Sequence, residues 1–339
     1  MCIRDRLWRL SEAKAIAKAK SKKGKVIKVV SRLSTRLPPF PYDTTSLLSD
    51  AFRFLGFSPM KTMRVAESLY QKGHISYPRT SSQQLPSTIN LREIVASIGK
   101  LRKYSKFARV ILKGELKPRE GKKSDPAHPA IHPTCEVPSK LPRDEARLYD
   151  LIVRRFLACL MKEARRQTTR ILIDINGFTF FVKGARTIES GWLSVYEGYN
   201  LLEEVELPEV KEGDVVLVKR IEIEEKETLP PQRYTQGSIV REMEARGLGT
   251  KATRAQILQI LYDRGYIHGT SIRVSKLGLD LVEILEKNVP IILSEELTRE
   301  LERSCDAIYK GEKDIDDVLS EARKRVEEIA RRFRKREAT

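Results

Sequence analysis

The chain has 339 residues, 64 of them Lys or Arg and 46 Asp or Glu, giving a formal net charge of +18 at pH 7. That length suggests two or three domains, and a 40% hydrophobic fraction is enough to build real cores, so a disordered chain is excluded. A field of this sign concentrates polyanions; nucleic acid is the leading partner class, and a ribosomal or generally adhesive basic protein is the plainer reading.

Cys2, Cys135, Cys159 and Cys305 are scattered, without metal-ligand spacing or a disulfide framework, as expected of free thiols in a reducing compartment. No apolar run approaches the length of a membrane span and no secretory leader is visible, so the expectation is a cytoplasmic protein with no membrane partner.

In chain order, Met1 to Arg6 gives no structural reading and is not taken as native sequence. A basic stretch follows, with strand-like alternation at Val26, Val29 and Val30, until Pro38-Pro39-Phe40-Pro41 breaks it. Leu47, Leu48, Ala51, Phe52 and Leu55 then share one helical face, with Thr44 or Thr45 as cap and Gly56 as stop. A second helix starts at Ser58-Pro59, buries Met63, Ala66, Leu69 and Tyr70, and stops at Gly73. Residues 100–134 read as basic and turn-rich, and a helix is expected over about 144–165.

From Thr168 the period changes to that of strands. Ile171 to Ile175 and Phe178 to Val182 flank Asn176-Gly177, a strong two-residue hairpin signal. Val215 to Val218 continues through Ile221 and Ile223, and the stretch near 25–34 completes this β-rich domain. After Pro230-Pro231 come helices at about 236–246 and 252–264 and a small wing around Gly269-Thr270. Helices through Leu277, Leu297 and Val318 follow.

Three clusters carry chemistry. In His74-Ile-Ser-Tyr-Pro-Arg-Thr-Ser-Ser82, Tyr77 and Arg79 lie on one face of an extended segment stiffened by Pro78. A phenol is ionised in only about one molecule in 10³ at pH 7, so nucleophilic use requires cations or a base, and a guanidinium two residues away suits a phosphate. A half-buried aromatic beside a solvated charge is the bland alternative.

The second cluster, Asp125-Pro-Ala-His-Pro-Ala-Ile-His-Pro-Thr134, holds His128 and His132, each followed by proline, so they are not a helical metal pair. His128 could bond a scissile phosphate or move a proton, or could simply fix the loop. The third, Gly247-Leu-Gly-Thr-Lys-Ala-Thr-Arg254, opens a helix with glycines, hydroxyls and charge suited to phosphate, and its lysine is displaced from nucleotide-binding spacing. A plain helix cap is the alternative there.

Taken together, these clusters resemble the type IA DNA topoisomerases. Pro41 to Thr45, Gly56 to Pro59, Ala66 to Tyr70 and Gly73 to Thr80 resemble that family's active-site domain. Ala127 to Thr134 resembles its second motif. Gly249 to Ala255 with Asp263 to Ile267 resembles its third, and Ser294 to Thr298 with Leu301-Glu302 fits its late helix. The flavour looks archaeal, or like the topoisomerase III branch. The resemblance implies an α+β multidomain fold, the central region of a type IA enzyme, with a β-rich arch and helical winged-helix/CAP-like domains. Residues 1–38 would begin the arch, 39–166 would be the helical tyrosine domain, 167–231 would complete the arch, and 232–339 would be a helical DNA-binding base.

It also implies that Tyr77 forms a 5′-phosphotyrosyl bond, that Arg79 stabilises the transferring phosphate and that His128 binds near the scissile phosphate. His132, Thr250, Lys251, Thr253 and Arg254 would contact the single strand.

The implied activity is ATP-independent breakage, passage and rejoining of one strand, relaxing negatively supercoiled DNA. Mg2+ would sit on a TOPRIM domain that the sequence lacks, supplied in cis or in trans, with no metal on this chain; alone, the fragment should be inactive. Ser81 stands where the family often has aspartate, and His132 where many relatives have arginine. The rival readings are a non-catalytic winged-helix DNA-binding protein, the C-terminal half of a reverse gyrase, and a tyrosine recombinase. The last is disfavoured because Tyr77 precedes His128 and most of the chain.

Overall fold

The computed structural model describes residues 7–18, 22–199 and 202–337, with side chains described as far as Arg331. The reading of Met1 to Arg6 lies outside the described residues. In chain order the elements are α1 (Leu10–Lys18), β1 (Lys23–Arg36), α2 (Thr44–Leu55), α3 (Pro59–Gln71), α4 (Leu91–Gly99), α5 (Arg102–Leu112), α6 (Arg143–Cys159), β2 (Ala164–Ile175) and β3 (Phe178–Glu189). They continue with β4 (Val215–Leu217), α7 (Gln236–Ala245), α8 (Arg254–Asp263), β5 (Ile267–His268), β6 (Arg273–Val274), α9 (Lys276–Asn288), α10 (Glu295–Tyr309) and α11 (Ile315–Glu337). They divide into two compact units. One takes the chain up to Phe40 with Gly99–Arg119 and Leu157–Pro231; the other takes Pro41–Ile98, Glu120–Phe156 and Gln232–Thr339.

The first unit is built on an antiparallel sheet in the order β3-β2-β1-β4. Its central hairpin turns at Asn176 and Gly177, with φ of 53° and 83°, the paired left-handed conformation that lets two strands keep their twist. Ile171, Ile173 and Ile175 alternate onto the face that Val26, Phe180 and Ile16 of α1 also cover, and this is the unit's core. β1 meets β2 along its length, from Lys25↔Asp174 to Arg36↔Ala164, with one bulge between Val26 and Lys28.

Three expectations need correction in this unit. The helix expected to reach residue 165 ends at Cys159, because Arg165 and Arg166 pair with Thr35 and Ser34 in the ladder. The strand expected to run through Ile223 ends at Leu217. Its partner β1 begins at Lys23, so residues beyond Val218, which bonds to Lys22, find no ladder among the described residues. The stretch read as turns contains α5, whose Tyr104, Phe107, Ala108 and Ile111 form a buried i, i+3, i+4, i+7 stripe; the intervening lysines and arginines concealed it.

In the second unit, α2 is capped by Asp43 rather than by Thr44 or Thr45. The Asp43 carboxylate accepts from the Ser46 N–H (2.7 Å), and Ser46 Oγ accepts from the Asp43 N–H (3.1 Å). Ser58 caps α3 with Pro59 in its first turn, as the sequence indicates. Leu48 of α2 and Met63 of α3 pack with Val240 of α7 and Ala255 and Leu258 of α8 into a shared apolar core. β5 and β6 pair as a short wing between α8 and α9.

Candidate active site

The site lies wholly in the second unit. After α3 the chain runs extended, and two flanking segments fix it. On one side Ser76 N–H donates to His132 O (2.8 Å), and Thr134 N–H donates to His74 O (3.1 Å). On the other, the Thr44 hydroxyl at the start of α2 donates to Pro78 O (2.7 Å) and accepts from Thr80 N–H (2.8 Å). Thr44 is therefore a buried site support, buried Thr45 donates to Glu244 (3.1 Å), and the capping falls to Asp43. The Thr80 hydroxyl donates to His128 O (3.1 Å), so the tyrosine segment and the histidine loop are joined through backbone carbonyls on both sides of Tyr77.

Tyr77 is half-buried. Its ring stands 4.6 Å from that of His128 and 5.3 Å, edge-on, from that of Tyr70. Among the described residues its hydroxyl makes no hydrogen bond, so the oxygen is not committed to a structural partner. Arg79 Nε donates to Glu67 of α3 (2.9 Å), a second guanidinium nitrogen meets the same oxygen, and Nη1 donates to Ala252 O (3.0 Å). The first and third sequence clusters thus meet at Arg79, between residues 173 positions apart.

His132 is placed differently. The residue is 8% exposed, its Nδ1–H donates to Ala130 O (2.8 Å), and its ring lies 6.5 Å from that of Phe156. Burial pushes its pKa below the usual imidazole value, with the Ala130 bond opposing. It braces the loop from behind, while His128 faces Tyr77.

The third cluster is a tight turn into α8. Gly249 has a φ of +65°, a conformation in which a side chain would also crowd Ile257 and the Thr253 hydroxyl. Thr253 Oγ1 accepts from Thr250 N–H (2.9 Å), and the two hydroxyls are 3.2 Å apart. Arg254 points inward, donating to Leu248 O (3.1 Å) and Gly249 O (2.8 Å) and lying 3.6 Å from Glu244. Burial lowers its pKa, against the charges of Glu244, Glu302 and Asp43. Lys251 pairs with Asp125, just ahead of the histidine loop.

Several residues that organise this site had no role assigned from the sequence. Asp125 is the foremost: it opens the second cluster, and its signal was an aspartate two residues before Ala127, poised for a local turn. Glu67 holds Arg79. Asp43 and Glu244 hold Lys123, at 3.2 and 2.6 Å; burial lowers the Lys123 pKa, but these carboxylates outweigh it and hold the ammonium above its usual value.

Among the described residues no group of three or more His, Cys, Asp or Glu side chains could hold a metal ion. The donor set among the described residues does not fit Mg2+. No helix among the described residues is long and apolar enough to cross a membrane.

Tyr77, His128 and Arg79 are thus gathered beside a basic, glycine-rich turn. The family model for DNA topoisomerase matches residues 2–320. DNA topoisomerase 1 of Pyrococcus horikoshii is 47% identical over 339 residues, covering 98% of this chain and 49% of that protein. DNA topoisomerase 1 of Methanothermobacter thermautotrophicus is 45% identical over 291 residues, covering 86% and 40%. The crystal structure of full-length topoisomerase I from Thermotoga maritima superposes with a TM-score of 0.74 at 27% identity, covering 98% of this chain and 56% of that one. The chain belongs to the DNA topoisomerase family, with the α+β multidomain fold of its type IA members. It spans about half the length of the relatives it matches.

Proposed function

We propose that this chain supplies the tyrosine side of a type IA cleavage site and works on single-stranded stretches of negatively supercoiled DNA. Tyr77 Oη attacks a backbone phosphorus. The bond to the 3′ oxygen breaks as the bond to the phenol oxygen forms, the phenol loses its proton, and the 3′ oxygen gains one. One phosphodiester is exchanged for another, so rejoining needs no ATP. The observation that carries the reading is the Tyr77 ring packed at 4.6 Å on His128, with its hydroxyl uncommitted and Arg79 two residues on.

Arg79 neutralises the charge building on the phosphoryl oxygens, and His128 donates to the scissile phosphate. Thr250, Lys251 and Thr253 line the path of the strand. Arg254 shapes that path by holding two loop carbonyls, and His132 braces the loop between the two histidines through Ala130 O. Residues 1–38 and 167–231 form the arch, 39–166 the tyrosine domain and 232–339 the base. Mg2+ chemistry enters through a TOPRIM segment supplied in cis or in trans, and the nucleoid is where such a substrate is found. A duplex-binding role alone is the second reading, favoured by the β5–β6 wing beside α8.

The test is covalent trapping on a labelled oligonucleotide in the presence of a TOPRIM fragment. Wild type should give a protein–DNA adduct and Tyr77→Phe none, while noncovalent single-strand affinity stays within about twofold, as expected for loss of one nucleophile. A preference for duplex over single strand, with no Tyr77-dependent adduct, would favour the second reading.

A further inference from the structure

Asp125 is the point at which all three clusters meet. Its Oδ2 accepts from the Ser81 N–H (3.0 Å) and the Ser81 hydroxyl (2.9 Å), and also receives the Lys251 ammonium. Its Oδ1 accepts from the N–H groups of Ala127 (3.1 Å) and His128 (3.3 Å). One carboxylate therefore ties the tyrosine segment, the histidine loop and the turn into α8. The Asp125 side chain is 1% exposed and that of Lys251 35%.

We infer that Asp125 is a positioning residue that holds the Lys251 ammonium between DNA-binding events, and that an incoming backbone phosphate takes Lys251 over from it. The inference rests on the single-strand-binding reading above.

Two features of the geometry make the exchange feasible. Breaking a buried ion pair is costly when it strands a bare charge. Here four neutral donors remain on Asp125 after Lys251 leaves, so the carboxylate stays satisfied. Burial pushes the Asp125 carboxyl up, but Lys251 and the bonds from Ser81 and Ala127 outweigh it and hold the group well below the usual carboxylate range. It is ionised at neutral pH and competes with an incoming phosphate for one partly exposed ammonium. The neighbouring Arg79 bond to Ala252 O keeps the backbone of the turn in place, so the exchange requires only movement of the lysine side chain.

The same bonds make Asp125 the means by which Ser81 and His128 keep their places around Tyr77.

The experiment uses the full chain, without metal or TOPRIM fragment, and a fluorescein-labelled oligothymidylate read by anisotropy across a salt titration. Asp125→Asn keeps an acceptor oxygen in the same shape. It should tighten binding about tenfold, the scale of one charge-assisted bond freed for the phosphate. Lys251→Gln should weaken binding and lower the log–log salt slope by about 0.7, one phosphate contact on a single strand. In the Lys251→Gln background, Asp125→Asn should change affinity less than about twofold, because the two residues act as one unit.

A gain from Asp125→Asn that persists undiminished without Lys251 would overturn the exchange, as would weaker binding by Asp125→Asn in a folded protein. Should Asp125→Asn not fold, 13C-dimethylated wild type reads the same event. The Lys251 methyl resonance, assigned with Lys251→Arg, should shift on saturation with the oligonucleotide, and an unmoved resonance overturns the inference. A wild type that does not bind the oligonucleotide at all fails the functional reading itself, separately from these comparisons.

Discussion

At the scale of single residues, the site sorts its cations by what they hold in the absence of DNA. Arg79 is bonded to Glu67 and to a backbone carbonyl, yet its side chain keeps 30% exposure, so a phosphate can reach it. Replacing it by alanine should slow covalent trapping about 10²–10³-fold, the usual cost of losing one preorganised donor to developing charge, with a smaller loss of single-strand affinity. Equal losses in trapping and affinity would make Arg79 a simple binding contact.

His132 gives a pH signature. Its folded pKa lies below the ordinary 6.5, so the unfolded chain binds more protons in the window below that value, and stability falls as pH drops through it. Asp125 adds a second loss at lower pH, below the ordinary carboxylate value of 3.8, since its folded pKa is also depressed. Thermal melts between pH 7 and pH 5 should show a decline that His132→Gln flattens; an unchanged decline would assign it to other groups.

At the scale of elements, the core shared by α2, α3, α7 and α8 positions the Tyr77 segment against the turn that carries Lys251. Leu48→Ala should destabilise the unit by about 2–5 kcal/mol in urea unfolding, the range for a buried leucine, and should loosen the site with it. Asp43→Ala should cost more than the roughly 1 kcal/mol of an isolated cap, because Asp43 also receives Lys123 and Gln83. In the sheet unit, Gly177→Ala places a Cβ at φ +83° and should cost about 1–2 kcal/mol, without effect on oligonucleotide binding.

For the whole molecule, the +18 charge sets a strong salt dependence. If about 6–10 basic side chains meet phosphates, affinity should fall roughly 10³–10⁵-fold between 50 and 200 mM salt. A shallow slope would point to a surface whose cations are mostly paired internally. The chain alone, with magnesium and no TOPRIM fragment, should not relax a negatively supercoiled plasmid. Relaxation under those conditions would contradict the proposed division of the active site.

What the sequence determined by itself was local. Ser58-Pro59 starts α3 because capping and a fixed φ act within one turn, and Asn176-Gly177 makes its hairpin because two left-handed residues suffice. The three clusters were legible for the same reason, each being a short run of residue types with its own chemistry.

Only the tertiary structure decided which groups meet. Asp43 took the cap of α2 because Thr44 was needed by Pro78 and Thr80, a bond across more than thirty positions. α5 emerged because burying Tyr104 and Phe107 outweighs the basic residues between them. Lys251 found Asp125 and Arg79 found Ala252 across gaps that no periodicity spans. Partner choice between charges depends on distance and burial in space, and neither is written in the spacing of residues along the chain.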